Sequence, residues 1–250
     1  MNPLNNITFE GNVVRDSAVK SLGEGKGNVG KMTVAVDRSF KNSAGELVKD
    51  VSFFDVEGYG KIADVIAEKG KKGQFVRIEG ELKQDRWKDK DGKTQASIKV
   101  VASSVGVKAP ERNMGTPTRP VNLAVVEGNL VKDASYKSLG EGRAAVTSFT
   151  LASNKTFKNS KGEFETEVSY FDVDAYGKLA DVMKEKGTKG KGMRIEGHLQ
   201  QDTWKDKEGK THSSTKIVAS TLSFMMKQEK KVEKAAPAKE TKKDEPELGR

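Results

Sequence analysis

The chain of 250 residues contains no cysteine and two histidines, His198 and His212. Without thiols there are no disulfides, thiolate zinc sites, iron–sulfur clusters or cysteine nucleophiles. Two imidazoles are too few for histidine-rich metal sites and for most histidine-based acid–base mechanisms. No apolar run approaches the length that spans a bilayer, and residues 1–11 lack the apolar core of a secretory signal. A soluble, cytoplasmic protein is expected, with no membrane partner and no cofactor or metal. A dense basic block is also missing. The 45 Lys and Arg against 36 Asp and Glu leave a net +9, spread thinly along the chain. A polyanionic partner is allowed, but coating duplex DNA through charge alone is not.

What the sequence does hold is a repeat. An offset of 117 residues, without a gap, carries Ser21-Leu-Gly-Glu-Gly25 onto Ser138-Leu-Gly-Glu-Gly142 and Phe40-Lys-Asn-Ser43 onto Phe157-Lys-Asn-Ser160. It carries Gln84-Asp85-x-Trp87-Lys-Asp-Lys90 onto Gln201-Asp202-x-Trp204-Lys-Asp-Lys207, and 55 of 95 pairs are identical between 9–103 and 126–220. Two copies of one domain are expected, at 1–106 and 122–226. Between them, 107–121 has three prolines and reads as an extended linker. Residues 227–250 are Lys, Glu, Ala and Pro with almost no large apolar side chain, the composition of a disordered tail.

Within copy one, Met32, Val34 and Val36 alternate, as do Val76 and Ile78 on to Leu82, and Ile98 and Val100; each run reads as a half-buried strand. Val51 to Tyr59 reads the same way. Ile62, Val65 and Ile66 instead recur at helical spacing between Gly60 and Gly70. Turns at Gly45 and Asp91-Gly92 separate hairpins. The order strand, strand, strand, helix, strand, strand is the connectivity of the OB-fold, a small barrel that binds oligonucleotides or oligosaccharides on one face. The fold class is therefore all-β, with tandem OB-folds.

Aromatics recur at matching places: Phe40, Phe53, Tyr59 and Trp87, then Phe157, Tyr170, Tyr176 and Trp204. Rings commonly fill a barrel core, but Trp87 sits among charges at a strand end, next to Lys88, as Trp204 sits next to Lys205. On Val51 to Tyr59 the odd positions Phe53 and Tyr59 share a face, while Phe54 and Val56 point the other way and supply core. Rings beside cations suit an unpaired strand, whose bases stack while its phosphates meet Lys and Arg.

Three patterns mislead. Gly25-x4-Gly30-Lys31 resembles a phosphate loop, but Met32 stands where Ser or Thr would bind magnesium, a strand follows, and copy two lacks the pattern. Asp85 and Asp89, like Asp202 and Asp206, lie among lysines and Arg86, so solvated ion pairing with those neighbours is expected. His198 and His212 replace Glu81 and Gln95 of copy one, and neither reads as a catalytic base.

Glu10-Gly-Asn-Val-Val-Arg-Asp16, the strand Thr33 to Val36, Phe53 to Asp64, and Val76-Arg-Ile-Glu-Gly-Glu-Leu82 followed by Trp87 are together similar to bacterial single-stranded DNA-binding proteins of the replication type. The resemblance recurs in copy two. It implies base stacking at Phe40, Phe53, Tyr59, Trp87, Phe157, Tyr170, Tyr176 and Trp204, and basic contacts at Lys61, Arg86 and Lys178. Thr203 takes the place of Arg86 in copy two. The resemblance also implies a homodimer presenting four OB-folds, and replication or repair proteins docking on the tail. That tail departs from the family pattern: 244–250 is acidic for only a few residues and ends in Arg250, as expected of a phage-encoded or divergent member. The leading reading is a non-catalytic coat for single-stranded DNA. An RNA-binding OB protein and a replisome adaptor without nucleic acid are the alternatives.

Overall fold

A computed structural model describes residues 2–25, 27–41, 45–108, 121–138, 140, 145–159 and 161–225. The expected tail lies outside them, as does the expected linker apart from Val107, Lys108 and Val121.

Copy one is built from β1 (Asn5–Val13), β2 (Ala18–Ser21), β3 (Asn28–Lys41), β4 (Leu47–Tyr59), α1 (Lys61–Lys69), β5 (Phe75–Lys88) and β6 (Thr94–Val107). Antiparallel pairing runs β5 to β1, β1 to β3 and β3 to β4. A short parallel contact, Val56 against Val100 and Glu57 against Val101, then joins β4 to β6, and β6 pairs back to β5. The five strands thus close into a barrel with the helix between the third and fourth, the OB-fold arrangement. Copy two repeats it as β7 (Asn122–Leu130), β8 (Ser135–Lys137), β9 (Val146–Lys158), β10 (Phe164–Tyr176), α2 (Lys178–Lys186), β11 (Gly192–Lys205) and β12 (Thr211–Phe224).

Alternation decides the core. Phe54 and Val56 of β4, Val34 and Val36 of β3, and Ile78 and Leu82 of β5 are buried, each on the inward pleat. Ile66 closes one end of the barrel from α1. The helix begins at Gly60 and ends at Gly70, the two boundary glycines expected. The curvature needed for closure comes from a bulge between Glu79 and Gly80, repeated between Glu196 and Gly197. A Cβ on Gly80 would lie 2.2 Å from the Val101 carbonyl oxygen, so no other residue fits there without moving the partner strand.

The two barrels share one sheet. The first half of β1 leaves an edge free of β3, and β7 takes it antiparallel, with Ile7 opposite Ala124. Those two residues are equivalents in the repeat, so the barrels are related by a local twofold through this pair. Pairing consumes an edge that would otherwise expose unpaired N–H and C=O groups. Glu10 gathers both ends of the intervening segment: Lys108 Nζ donates to its Oε1 at 3.0 Å, and its own N–H donates to the Val121 carbonyl at 2.8 Å.

Candidate nucleic-acid interface

The long hairpin of β5 and β6 carries Trp87 opposite Gln95, and that of β11 and β12 carries Trp204 opposite His212. Each turn is closed by an aspartate. Asp89 Oδ1 accepts the N–H groups of Asp91 and Lys93, and its Oδ2 accepts Gln95 Nε2 at 2.7 Å. Asp206 repeats this with Glu208 and Lys210, while its Oδ2 lies 2.6 Å from His212 Nε2. The hydrogen bond from Gln95 leads the groups that hold the Asp89 carboxyl below its ordinary range, and His212 does the same for Asp206.

The ion pairing expected of the aspartates forms at Asp85 and Asp202, but with lysines of the adjacent strand and not with their chain neighbours. Neighbours in a strand point to opposite faces, so Asp85 does not meet Arg86 or Lys88. It meets Lys99, on the adjacent strand β6, and Asp202 likewise meets Lys216. Asp89 and Asp206 serve the turns.

Lys99 also reaches Glu57 of β4, at 2.7 Å, and Lys31 and the Tyr59 hydroxyl complete the cluster. Burial acts to raise the Glu57 carboxyl, but hydrogen bonds from Lys31, Lys99 and Tyr59 hold it at about 2. The network pins the Tyr59 hydroxyl, at 2.9 Å, while leaving the residue 44% exposed. In copy two Lys216 joins Asp174 to Asp202 beside Tyr176. Burial acts to lower the Lys216 ammonium, yet its two carboxylates raise it above its ordinary range.

Of the expected residues, Phe53, Tyr59, Trp87, Phe157, Tyr176 and Trp204 are all exposed, the two tryptophans at 49% and 50%. Phe53, Tyr59 and Trp87 stand on the outward pleats of β4 and β5. Phe40 and Tyr170 differ: both are half-buried beneath guanidinium groups. The Arg38 guanidinium carbon lies 4.9 Å from the Phe40 ring centre, and that of Arg86 lies 4.4 Å from the Tyr170 ring centre. Arg86 therefore crosses from copy one to cap a ring of copy two. Phe53, the equivalent of Tyr170, is the ring that Thr203 leaves open.

Lys61, Lys88, Lys178 and Lys205 are exposed and make no ion pair among the described residues. They contrast with Lys83 and Lys155, which pair across the copies with Glu167 and Glu81. One further ring escaped the sequence reading: Phe164, 74% exposed, with Lys158 Nζ 5.2 Å from its ring centre. It lies on the same pleat of β10 as Tyr170, so alternation counted back from Tyr170 would have reached it. Leu47 holds the equivalent place in copy one.

A groove of about 410 Å³ runs between the copies, lined by Tyr59 and Leu82 from one and by Phe157 and Lys155 from the other, with Asn2 and Leu4 at its margin.

The family model described as "Single-strand binding protein family" matches residues 4–107 and again 121–225. The single-stranded DNA-binding protein of Aquifex aeolicus is 39% identical over 102 residues, covering 41% of this chain and 68% of that one. That of Deinococcus radiodurans is 28% identical over 229 residues, covering 88% and 74%. The crystal structure of the wild-type single-stranded DNA-binding protein from Thermus aquaticus matches with a TM-score of 0.68 at 20% identity, covering 96% of this chain and 98% of that one. A deletion mutant of the same protein gives 0.72 at 21% identity, with 93% and 99% covered. Both likenesses show the shared tandem fold.

Proposed function

This chain belongs to the single-strand binding protein family, and from that premise we propose that it coats single-stranded DNA without strong sequence preference, as a non-catalytic protein of replication, recombination and repair. One observation carries the reading. Equivalent tryptophans, Trp87 and Trp204, stand half-exposed on twin hairpins beside Lys88 and Lys205, exposed cations with no ion pair among the described residues. A base stacked on such a ring gains about 1–3 kcal/mol, and lysines track the phosphates. Duplex DNA offers no open base faces, so selectivity for unpaired strands follows from the same geometry.

In this reading Phe53, Tyr59, Phe157 and Tyr176 extend the stacking surface, Lys61 and Lys178 serve the backbone, and Phe40 and Tyr170 act together with the guanidinium groups above them. Two copies of the chain would present four OB-folds, and the segment after 226 would dock replication or repair proteins. Titrating the protein with oligo-dT, oligo-U and a duplex while following tryptophan emission tests the reading. Strong quenching by dT, with little response to duplex, is the expected result. An equal response to U would redirect the proposal to RNA, and no response to any of them would overturn it.

A further inference from the structure

Phe164 adds nothing to the core of either barrel. It is the most exposed large apolar side chain among the described residues, at 74%, and it stands at the outer end of the β9–β10 hairpin. Lys158 lies directly opposite it on β9, and its Nζ sits 5.2 Å from the ring centre, within the range of a cation–π contact. The turn beyond this pair is closed by a side chain. Asn159 Oδ1 accepts the N–H groups of Lys161 and Glu163, and its Nδ2 donates to the carboxylates of Glu163 and Glu165 at 3.1 and 2.7 Å. Both carboxylates are thus held at the turn, and Glu165 lies on the pleat opposite to Phe164.

The face that carries Phe164 runs inward through Thr166, Val168 and Tyr170 on β10, with Thr156, Asn154 and Ala152 across from them on β9. No acidic side chain stands on it between Phe164 and Tyr170, and its inner end lies beneath the Arg86 guanidinium. The span is about 20 Å of extended chain, at about 3.3 Å per residue. A ring with a cation against it therefore marks each end of one face free of negative charge.

A protein partner suits this place poorly, because Phe164 stands alone among Lys158, Thr156 and Thr166 and not in an apolar patch of docking size. An unpaired base is the flat group that a lone ring beside a cation accommodates. We propose that Phe164 and Lys158 form an outer subsite of the second OB-fold, with a nucleobase on the open face of the ring and an adjacent phosphate on the ammonium. The inference rests on the single-stranded DNA-binding reading above. Copy one carries Leu47 at the equivalent place, 63% exposed and without a π-face, so its hairpin offers no ring at the tip. The two barrels thus hold unequal lengths of strand.

The test uses the full chain in three variants: F164L, which installs the residue of copy one and so suits the hairpin; F164W, which keeps a ring; and K158A. Each is titrated with labelled oligo-dT of about 35 nucleotides, enough to cross two OB-folds at up to about 16 nucleotides each, and followed by fluorescence anisotropy. F164L should bind about tenfold more weakly, the loss of one stacked base, while F164W keeps the affinity of the natural chain. K158A should lower the slope of log affinity against log salt by about 0.7. If F164L binds as tightly as the natural chain, if F164W is as weak as F164L, or if K158A leaves the slope unchanged, the proposal is overturned. A change in the sedimentation mass of F164L with dT affinity intact would place Phe164 between two copies of the chain, and would overturn it as well. Failure of the natural chain to bind dT would overturn instead the reading on which the proposal rests.

Discussion

Gln84 and Gln201 are equivalent residues that each grip the other copy's barrel. Gln84 Nε2 donates to the Tyr170 carbonyl at 3.1 Å, and Gln201 Nε2 donates to the Phe53 carbonyl at 2.9 Å. Their backbone N–H groups donate to Ser169 Oγ and Ser52 Oγ, again across the boundary. Two stacking rings, Phe53 and Tyr170, are thus held in place by the neighbouring barrel. The double alanine variant Q84A/Q201A should lose about 1 kcal/mol for each side-chain hydrogen bond. Thermal unfolding followed by calorimetry should show a lower midpoint, and a broadened transition as the barrels uncouple. An unchanged transition would mean that β1–β7 pairing alone couples them.

Removing a tryptophan should cost binding and spare the fold. W87A and W204A are each expected to weaken oligo-dT binding by about 1–3 kcal/mol. Both rings are half-exposed, so unfolding free energy should move by no more than about 0.5 kcal/mol. Fluorescence-anisotropy titration beside urea unfolding separates the two effects.

Salt dependence distinguishes cations that meet phosphate from those that do not. K88A and K205A should each lower the slope of log affinity against log salt by about 0.7. R86A should leave that slope nearly unchanged, because its guanidinium is spent on the Tyr170 ring and its Nε on Gln84. A full loss of slope in R86A would return Arg86 to the phosphate contacts.

Acid stability should fall in two stages. Burial, and then the nearby Arg38 charge, push His198 down to about 4 from 6.5. The unfolded chain therefore takes up this proton first, and stability declines as pH drops from about 6.5 to about 4. Glu57 is held at about 2 against an ordinary 4.5, so its contribution is complete above about 4.5 and is lost as pH falls toward 2. Urea unfolding across this range should show the upper limb flattened in H198Q and the lower limb flattened in E57Q.

Much of the molecule is readable along the chain. The 117-residue offset sets two copies, and the alternation of β4 separates Phe53 and Tyr59 from Phe54 and Val56, because a pleated strand turns every second side chain the same way. The spacing of Ile62, Val65 and Ile66 marks the helix α1 between its glycines. The same alternation, followed further, would have found Phe164.

Other features depend on which strands come to lie side by side. Lys99 pairs with Asp85 and Glu57 because β6 runs between β5 and β4, whereas chain neighbours of Asp85 face away from it. Arg86 caps Tyr170, and Gln84 and Gln201 exchange barrels, because β7 docks on the free half of β1 and brings together residues more than eighty positions apart. Such contacts leave no periodic trace in the sequence. Local pattern determined the barrels, which rings point outward and that Phe40 lies beneath Arg38 two residues before it on the same strand; the pairing of the barrels' edges decided that Tyr170 is held beneath Arg86 while Phe53 stays open.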